Sequence, residues 1–129
     1  MIEKRLYPRV EKKFSVTIQN EQGLKLNVLA VDASSVGVCV QCNVLERNLI
    51  TPGGSFVSHG KPVELYIWLE LPFNGKAEKV GARCHVSFSR RISNNQCEIG
   101  MRYMDLEENG YETLVRYISS VNAANEYIK

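Results

Sequence analysis

The sequence predicts a mainly β fold, an antiparallel barrel plugged or flanked by one C-terminal helix. Three observations predict it. Short segments alternate apolar and polar residues with the period of two that marks a half-buried strand. Clusters of turn formers separate those segments, and no helical pattern intervenes between them to suggest βαβ units. From Tyr111 onward the apolar period lengthens to that of a helix. A chain of 129 residues fits one domain, and at that size roughly two-thirds of the unfolded surface can be buried without help from a metal or disulfide.

The elements follow in order. Residues 1–13 read as a flexible arm, and residues 14–129 as a single barrel domain with its helix at about 107–125. Phe14-Ser15-Val16-Thr17-Ile18 is the first alternating strand; Asn20-Glu21-Gln22-Gly23 turns it, and residues 24–31 return as its hairpin partner. Asp32-Ala33-Ser34-Ser35-Val36-Gly37 breaks the alternation with turn formers before Val38-Cys39-Val40 resumes a strand. Residues 43–62 hold Thr51-Pro52-Gly53-Gly54 and His59-Gly60-Lys61-Pro62, so they read as a long connection with room for a short piece of structure of its own. Residues 63–71 are a strong strand, rich in β-branched and aromatic side chains. Pro72-Phe73-Asn74-Gly75 then turns into residues 77–89, residues 90–96 form a polar loop, and residues 97–104 form the last strand. The helix carries apolar residues at 111, 114, 115, 118 and 121, and two spacings fit a capping box at its start, Asp105 with Glu108 and Asn109 with Glu112.

Composition narrows the function. With 44% apolar and 23% charged residues the chain is neither disordered, collagen-like nor a coiled coil. A net charge of +2 argues against wholesale binding of a DNA duplex, which needs a strongly basic domain. The charge is uneven, however: residues 1–13 carry five bases and two acids, a balance of +3, while the remainder balances at −1. Residues 63–73 are interrupted by Glu64 and Glu70, and no stretch reaches the ~18 apolar residues of a membrane span, so no membrane insertion is expected. The basic start, Met1-Ile2-Glu3-Lys4-Arg5, lacks the apolar run of a signal peptide; a cytoplasmic location and four reduced cysteines are the expectation.

Two short segments can carry chemistry. In Arg5-Leu6-Tyr7-Pro8-Arg9, Pro8 fixes its own φ and biases Tyr7 to extended backbone, which excludes a helix start. Residues four apart in an extended arm share a side, with Cα atoms roughly 13 Å apart at most. Two guanidinium forks on one side suit a ligand with several anionic or base-edge acceptors, although a solvated basic arm is the commoner fate of terminal charge. In Asp32-Ala33-Ser34-Ser35-Val36-Gly37, Asp and Ser either stabilise an ordinary turn or offer a carboxylate and a hydroxyl beside free backbone N–H groups. Gly37 would permit a positive φ where the turn closes.

Taken together, an Arg-x-x-x-Arg arm, a hairpin and an Asp-x-Ser-x-x-Gly step resemble the PilZ-domain family of bacterial cyclic di-GMP receptors. The tail, Ile99-Gly100-Met101-Arg102-Tyr103-Met104-Asp105-Leu106-Glu107-Glu108, is similar to that family's last strand and its step into the final helix. The resemblance implies a six-stranded antiparallel PilZ-type β-barrel with a C-terminal α-helix. It implies that Arg5 and Arg9 grip phosphate and guanine, that Asp32 and Ser34 bond the ligand from the barrel surface, and that Gly37 shapes the turn. It further implies an arm that closes over cyclic di-GMP, relaying the messenger level to a downstream protein partner that the sequence does not name. Where many relatives have a second arginine after the first, this chain has Leu6; Lys4 precedes the motif, a position associated in the family with a stacked pair of ligands. The expected protein is therefore a binding module, not an enzyme, with cyclic di-GMP as ligand and no cofactor. The alternatives are a ligand-free docking adaptor on the same fold and, behind it, a small single-stranded nucleic-acid-binding barrel.

Other candidates carry less. Cys39 and Cys42 have zinc-knuckle spacing, but a separation of three on a regular strand puts their sulfurs on opposite faces. His59 reads as solvated and His85 as a half-exposed structural histidine. Arg90-Arg91 reads as a solvated loop pair, able to add charge if a ligand groove lies beside it. Trp68 reads as core or barrel wall, and Tyr111, Tyr117 and Tyr127 mark the helix. No phosphate-loop or nucleophile-elbow motif is present in the sequence.

Overall fold

The computed structural model describes residues 9–10, 12–73 and 75–128, with side chains described for residues 12–73 and 75–123. Nine strands and two helices follow in order: β1 (Arg9–Val10), β2 (Phe14–Gln19), β3 (Lys25–Ser34), β4 (Gly37–Cys42), α1 (Val44–Ile50), β5 (Val57–Ser58), β6 (Lys61–Pro62), β7 (Glu64–Phe73), β8 (Lys76–Ser93), β9 (Gln96–Leu106) and α2 (Gly110–Ile128). The strands pair in the order β3-β2-β7-β8-β9-β4, and β4 pairs back onto β3, closing a six-stranded antiparallel barrel. Closure removes the exposed sheet edges that would otherwise invite aggregation.

Alternation builds the interior. In β7, Leu65, Ile67, Leu69 and Leu71 point inward and are fully buried, while Tyr66, Trp68 and Glu70 lie between them on the outer wall. Trp68 is thus wall rather than core, with Lys25 Nζ 4.9 Å above its ring and the Tyr66 ring tilted against it at 4.8 Å between centroids. Val16, Ile18, Val40 and Ile99 complete the core from neighbouring strands. α2 adds Leu114, Tyr117 and Ile118, with Tyr117 edge-on to Phe14 at 5.7 Å.

The structure departs from the sequence expectations where local signals are weakest. The connection over residues 43–62 contains α1, capped by a reciprocal box: Asn43 Oδ1 accepts from Glu46 N at 2.7 Å, and Glu46 Oε1 accepts from Asn43 N at 2.9 Å. The helix is seven residues long and buries only Ile50, too little for an apolar period to show. The polar stretch expected as a loop over residues 90–96 is mostly strand, since β8 runs to Ser93 and β9 begins at Gln96. At α2, Asp105 stays within β9, and the helix begins after Asn109, whose φ is 65° and whose carbonyl accepts from Thr113 N. The buried face is 114, 117 and 118, whereas Tyr111 is 57% exposed, so the apolar stripe is rotated from the one expected.

Candidate functional site

The site lies on the outer wall, where β3 and β4 meet and β8 and β9 run alongside. β1 pairs antiparallel with the end of β3, setting Arg9 opposite Ser34 and Val10 opposite Ala33. The backbone therefore brings the arm's second arginine to the strand that carries Asp32 and Ser34. Lys4 and Arg5 lie outside the described residues.

Asp32 reaches this face through a bulge. Ala30 is inward and pairs with Val40, but the next pair along is Asp32 with Cys39, leaving Val31 as the extra residue. A bulge changes the parity of a strand by one. Asp32 consequently shares the outer face with Cys39 instead of entering the core, and the run to Ser34 remains strand where a turn was expected. Only Ser35 and Val36 separate β3 from β4.

Ser34 is buried and organises that short turn. Its Oγ accepts from Val36 N at 3.2 Å and from Gly37 N at 3.3 Å, and donates to the Gly37 carbonyl at 3.4 Å. Gly37 does not adopt a positive φ. Its requirement is spatial: a Cβ there would collide with the Met101 carbonyl of the paired strand β9. The expectation of a left-handed turn glycine is corrected accordingly.

These residues line a cavity of about 190 Å³ together with Cys39 and residues from β8 and β9. A second bulge supplies the opposite wall. Val86 is inward and pairs with Met101, whereas Phe88 pairs with Gly100, so Ser87 is the extra residue and Phe88 turns outward. Arg90 follows on the same face, opposite Glu98. Its Nε and Nη2 both donate to Glu98 Oε1, at 3.2 and 2.7 Å, and its guanidinium carbon stands 5.1 Å from the Phe88 ring centre. Ser87 also lines two adjoining cavities, of about 250 and 450 Å³, that extend the groove past Arg102.

Cys39 lies in this pocket, while Cys42 belongs to the core, so the two sulfurs do occupy opposite sides of β4. Burial, then the nearby Asp32 and Glu98 carboxylates, push the Cys39 thiol up to about 12. A thiol so protonated is a poor nucleophile and a poor metal ligand. Among the described residues, the cysteines are free and no group of three or more His, Cys, Asp or Glu side chains is arranged to hold a metal ion. His59 is exposed, and His85 Nε2 lies 3.5 Å from Glu64 Oε2 on the outer wall. Among the described residues no helix is long and apolar enough to cross a membrane.

Phe88, Ser87 and Gly100 escape a reading of the sequence because Val86-Ser87-Phe88 looks like unbroken alternation, which would send Phe88 inward. The available signal is Gly100, a glycine inside an apolar strand, which marks a bulge or a close approach.

The closed barrel with its C-terminal helix is the fold of one family. The model of the PilZ domain aligns with residues 3–120. The chain belongs to the PilZ domain family. Similar solved structures include the inhibitor of motility MotI/DgrA of Bacillus subtilis, 18% identical with a TM-score of 0.71, over 95% of this chain and 53% of that one. The PilZ domain of Escherichia coli YcgR with c-di-GMP is 12% identical with a TM-score of 0.59, over 97% of this chain and 96% of that one. The MrkH–c-di-GMP complex of K. pneumoniae is 12% identical with a TM-score of 0.65, over 100% of this chain and 57% of that one. At these identities the likeness is one of fold, and this PilZ chain spans about half the length of MotI/DgrA and MrkH. No curated protein sequence matches it.

Proposed function

We propose that this PilZ domain is a cyclic di-GMP receptor, a binding module rather than an enzyme. The observation that carries the reading is the backbone register that sets Arg9 opposite Ser34, beside the pocket lined by Asp32, Ser34 and Gly37. The c-di-GMP complexes of the YcgR PilZ domain and of MrkH support it by fold.

The chemistry of each residue fits the ligand. Arg5 and Arg9 offer planar forks to phosphate oxygens and to guanine O6 and N7. The Asp32 carboxylate accepts from the N1–H and N2–H edge of guanine. The Ser34 hydroxyl donates only weakly, at 3.4 Å, to the Gly37 carbonyl, so a phosphate oxygen would be the better acceptor for its proton. Two or three charge-assisted bonds at roughly 1.5–3 kcal/mol each supply much of the ~8 kcal/mol of micromolar affinity. An arm with a +3 balance gains from meeting a dianion, and its closure on the barrel wall changes the surface offered to a downstream protein. With Lys4 before the motif, either one ligand or a stacked pair is accommodated per chain.

A calorimetric titration with cyclic di-GMP, with GTP and a short oligonucleotide as controls, tests the reading. Binding at micromolar or tighter Kd, lost in the Arg5→Ala/Arg9→Ala variant and in Asp32→Ala with unchanged circular dichroism, is the expected result. Absence of binding up to about 100 μM would overturn it and leave a protein-docking adaptor.

A further inference from the structure

We propose that Phe88 and Arg90 form a stacking shelf for a purine base, and so extend the ligand site beyond the arm and the β3–β4 turn. The inference rests on the cyclic di-GMP reading and assigns two more residues to the same pocket.

Four observations place the shelf. The Ser87 bulge turns Phe88 out of the core, and the ring is left 36% exposed in a pocket that is otherwise polar on its Asp32 and Ser34 side. Gly100, directly opposite on β9, has no side chain; a Cβ there would run into the Phe88 ring, so the ring rests against strand backbone. Arg90 stands over that ring at 5.1 Å, and its donation through Nε and Nη2 to a single Glu98 oxygen fixes the guanidinium in position. Phe88, Arg90 and Gly100 line the same cavity as Asp32 and Ser34.

A phenyl ring and a guanidinium are both side-chain planes on which a base stacks, the first through its π face and the second through charge as well. Both are preorganised here: the ring against Gly100, the guanidinium by Glu98. Preorganisation lowers the ordering cost of binding. Stacking on such a plane is worth about tenfold or more in affinity per base.

The test separates plane from charge and from bulk. Phe88→Leu keeps an apolar group over Gly100 without a π face, and Arg90→Lys keeps the charge without a plane. Each is expected to raise the Kd for cyclic di-GMP about tenfold, while Phe88→Tyr stays near wild type. A cyclic dinucleotide carrying 2-aminopurine in place of one guanine supplies the spectroscopic readout: wild-type protein quenches its fluorescence on binding, and saturated Phe88→Leu quenches it less. Wild-type binding with an unchanged Kd and unchanged quenching in both variants would overturn the shelf and leave the receptor reading standing. No binding by the wild type would overturn the receptor reading, and the shelf with it.

Discussion

Gly37 is demanded by distance, and that makes its substitution informative. Its missing Cβ faces a backbone carbonyl, Met101, which cannot swing aside as a side-chain terminus can. Gly37→Ala is expected to lower stability by about 1–3 kcal/mol, seen as a lower urea midpoint at an unchanged slope. Gly100→Ala meets the Phe88 ring instead, so it should spare the fold more and displace the ring. The thiols give a second prediction. Burial raises Cys39, Cys42 and Cys84 from 9 to about 12 each. A folded pKa above the unfolded one means that stability is fully present below pH 9 and is lost as pH rises toward 12. Thermal midpoints should accordingly hold level from pH 7 to about 8.5 and fall progressively above pH 9, and iodoacetamide at pH 7.5 should label the native protein slowly. A midpoint that rises between pH 9 and 11 would contradict this account.

At the level of elements, legibility followed the strength of the local signal. β7 announces itself because Leu65, Ile67, Leu69 and Leu71 alternate with outer residues over ten positions, and a one-residue slip would turn all four outward. α1 stayed hidden because one buried residue makes no period, although Asn43 and Glu46 carry a capping box that was there to be read. Removing that cap with Asn43→Ala should cost about 1 kcal/mol in denaturant unfolding without touching the ligand groove. The site divided in the same way. Asp32 and Ser34 were legible as a turn-forming motif near the arm and Arg90 as a pair with Arg91 able to add charge to a groove, but Phe88 was not, because bulges are set by strand pairing and leave no period of their own. Val31 and Ser87 are unremarkable residues by type; only the register shows that each shifts the face of everything after it. Gly37 shows the converse, a residue correctly singled out whose reason lay in a neighbouring strand.

On the scale of the whole molecule, the barrel and the arm are linked through one strand. β3 carries β2 and then β1 along one edge and β4 along the other, so the arm's Arg9–Val10 segment extends the same ladder that closes the barrel. A ligand held between Arg9 and the Asp32 face would therefore tie the arm to an element that unfolds only when the barrel opens. Binding to the folded state alone stabilises it by RT ln(1 + [L]/Kd), about 2.7 kcal/mol at a ligand concentration of 100 times Kd. For a domain of this length each kcal/mol moves Tm by roughly 3–5 °C, so saturating cyclic di-GMP should raise Tm by about 10 °C. Arg9→Ala, which removes the arm's grip and leaves the β3–β4 closure intact, should keep the ligand-free Tm within about 2 °C of wild type and show almost no ligand-dependent shift. GTP, lacking the second guanine and the ring closed by two phosphodiesters, should shift neither protein appreciably. An equal shift in wild type and Arg9→Ala would mean that the ligand is held by the barrel wall without the arm, and closure of the arm could then not be the signal.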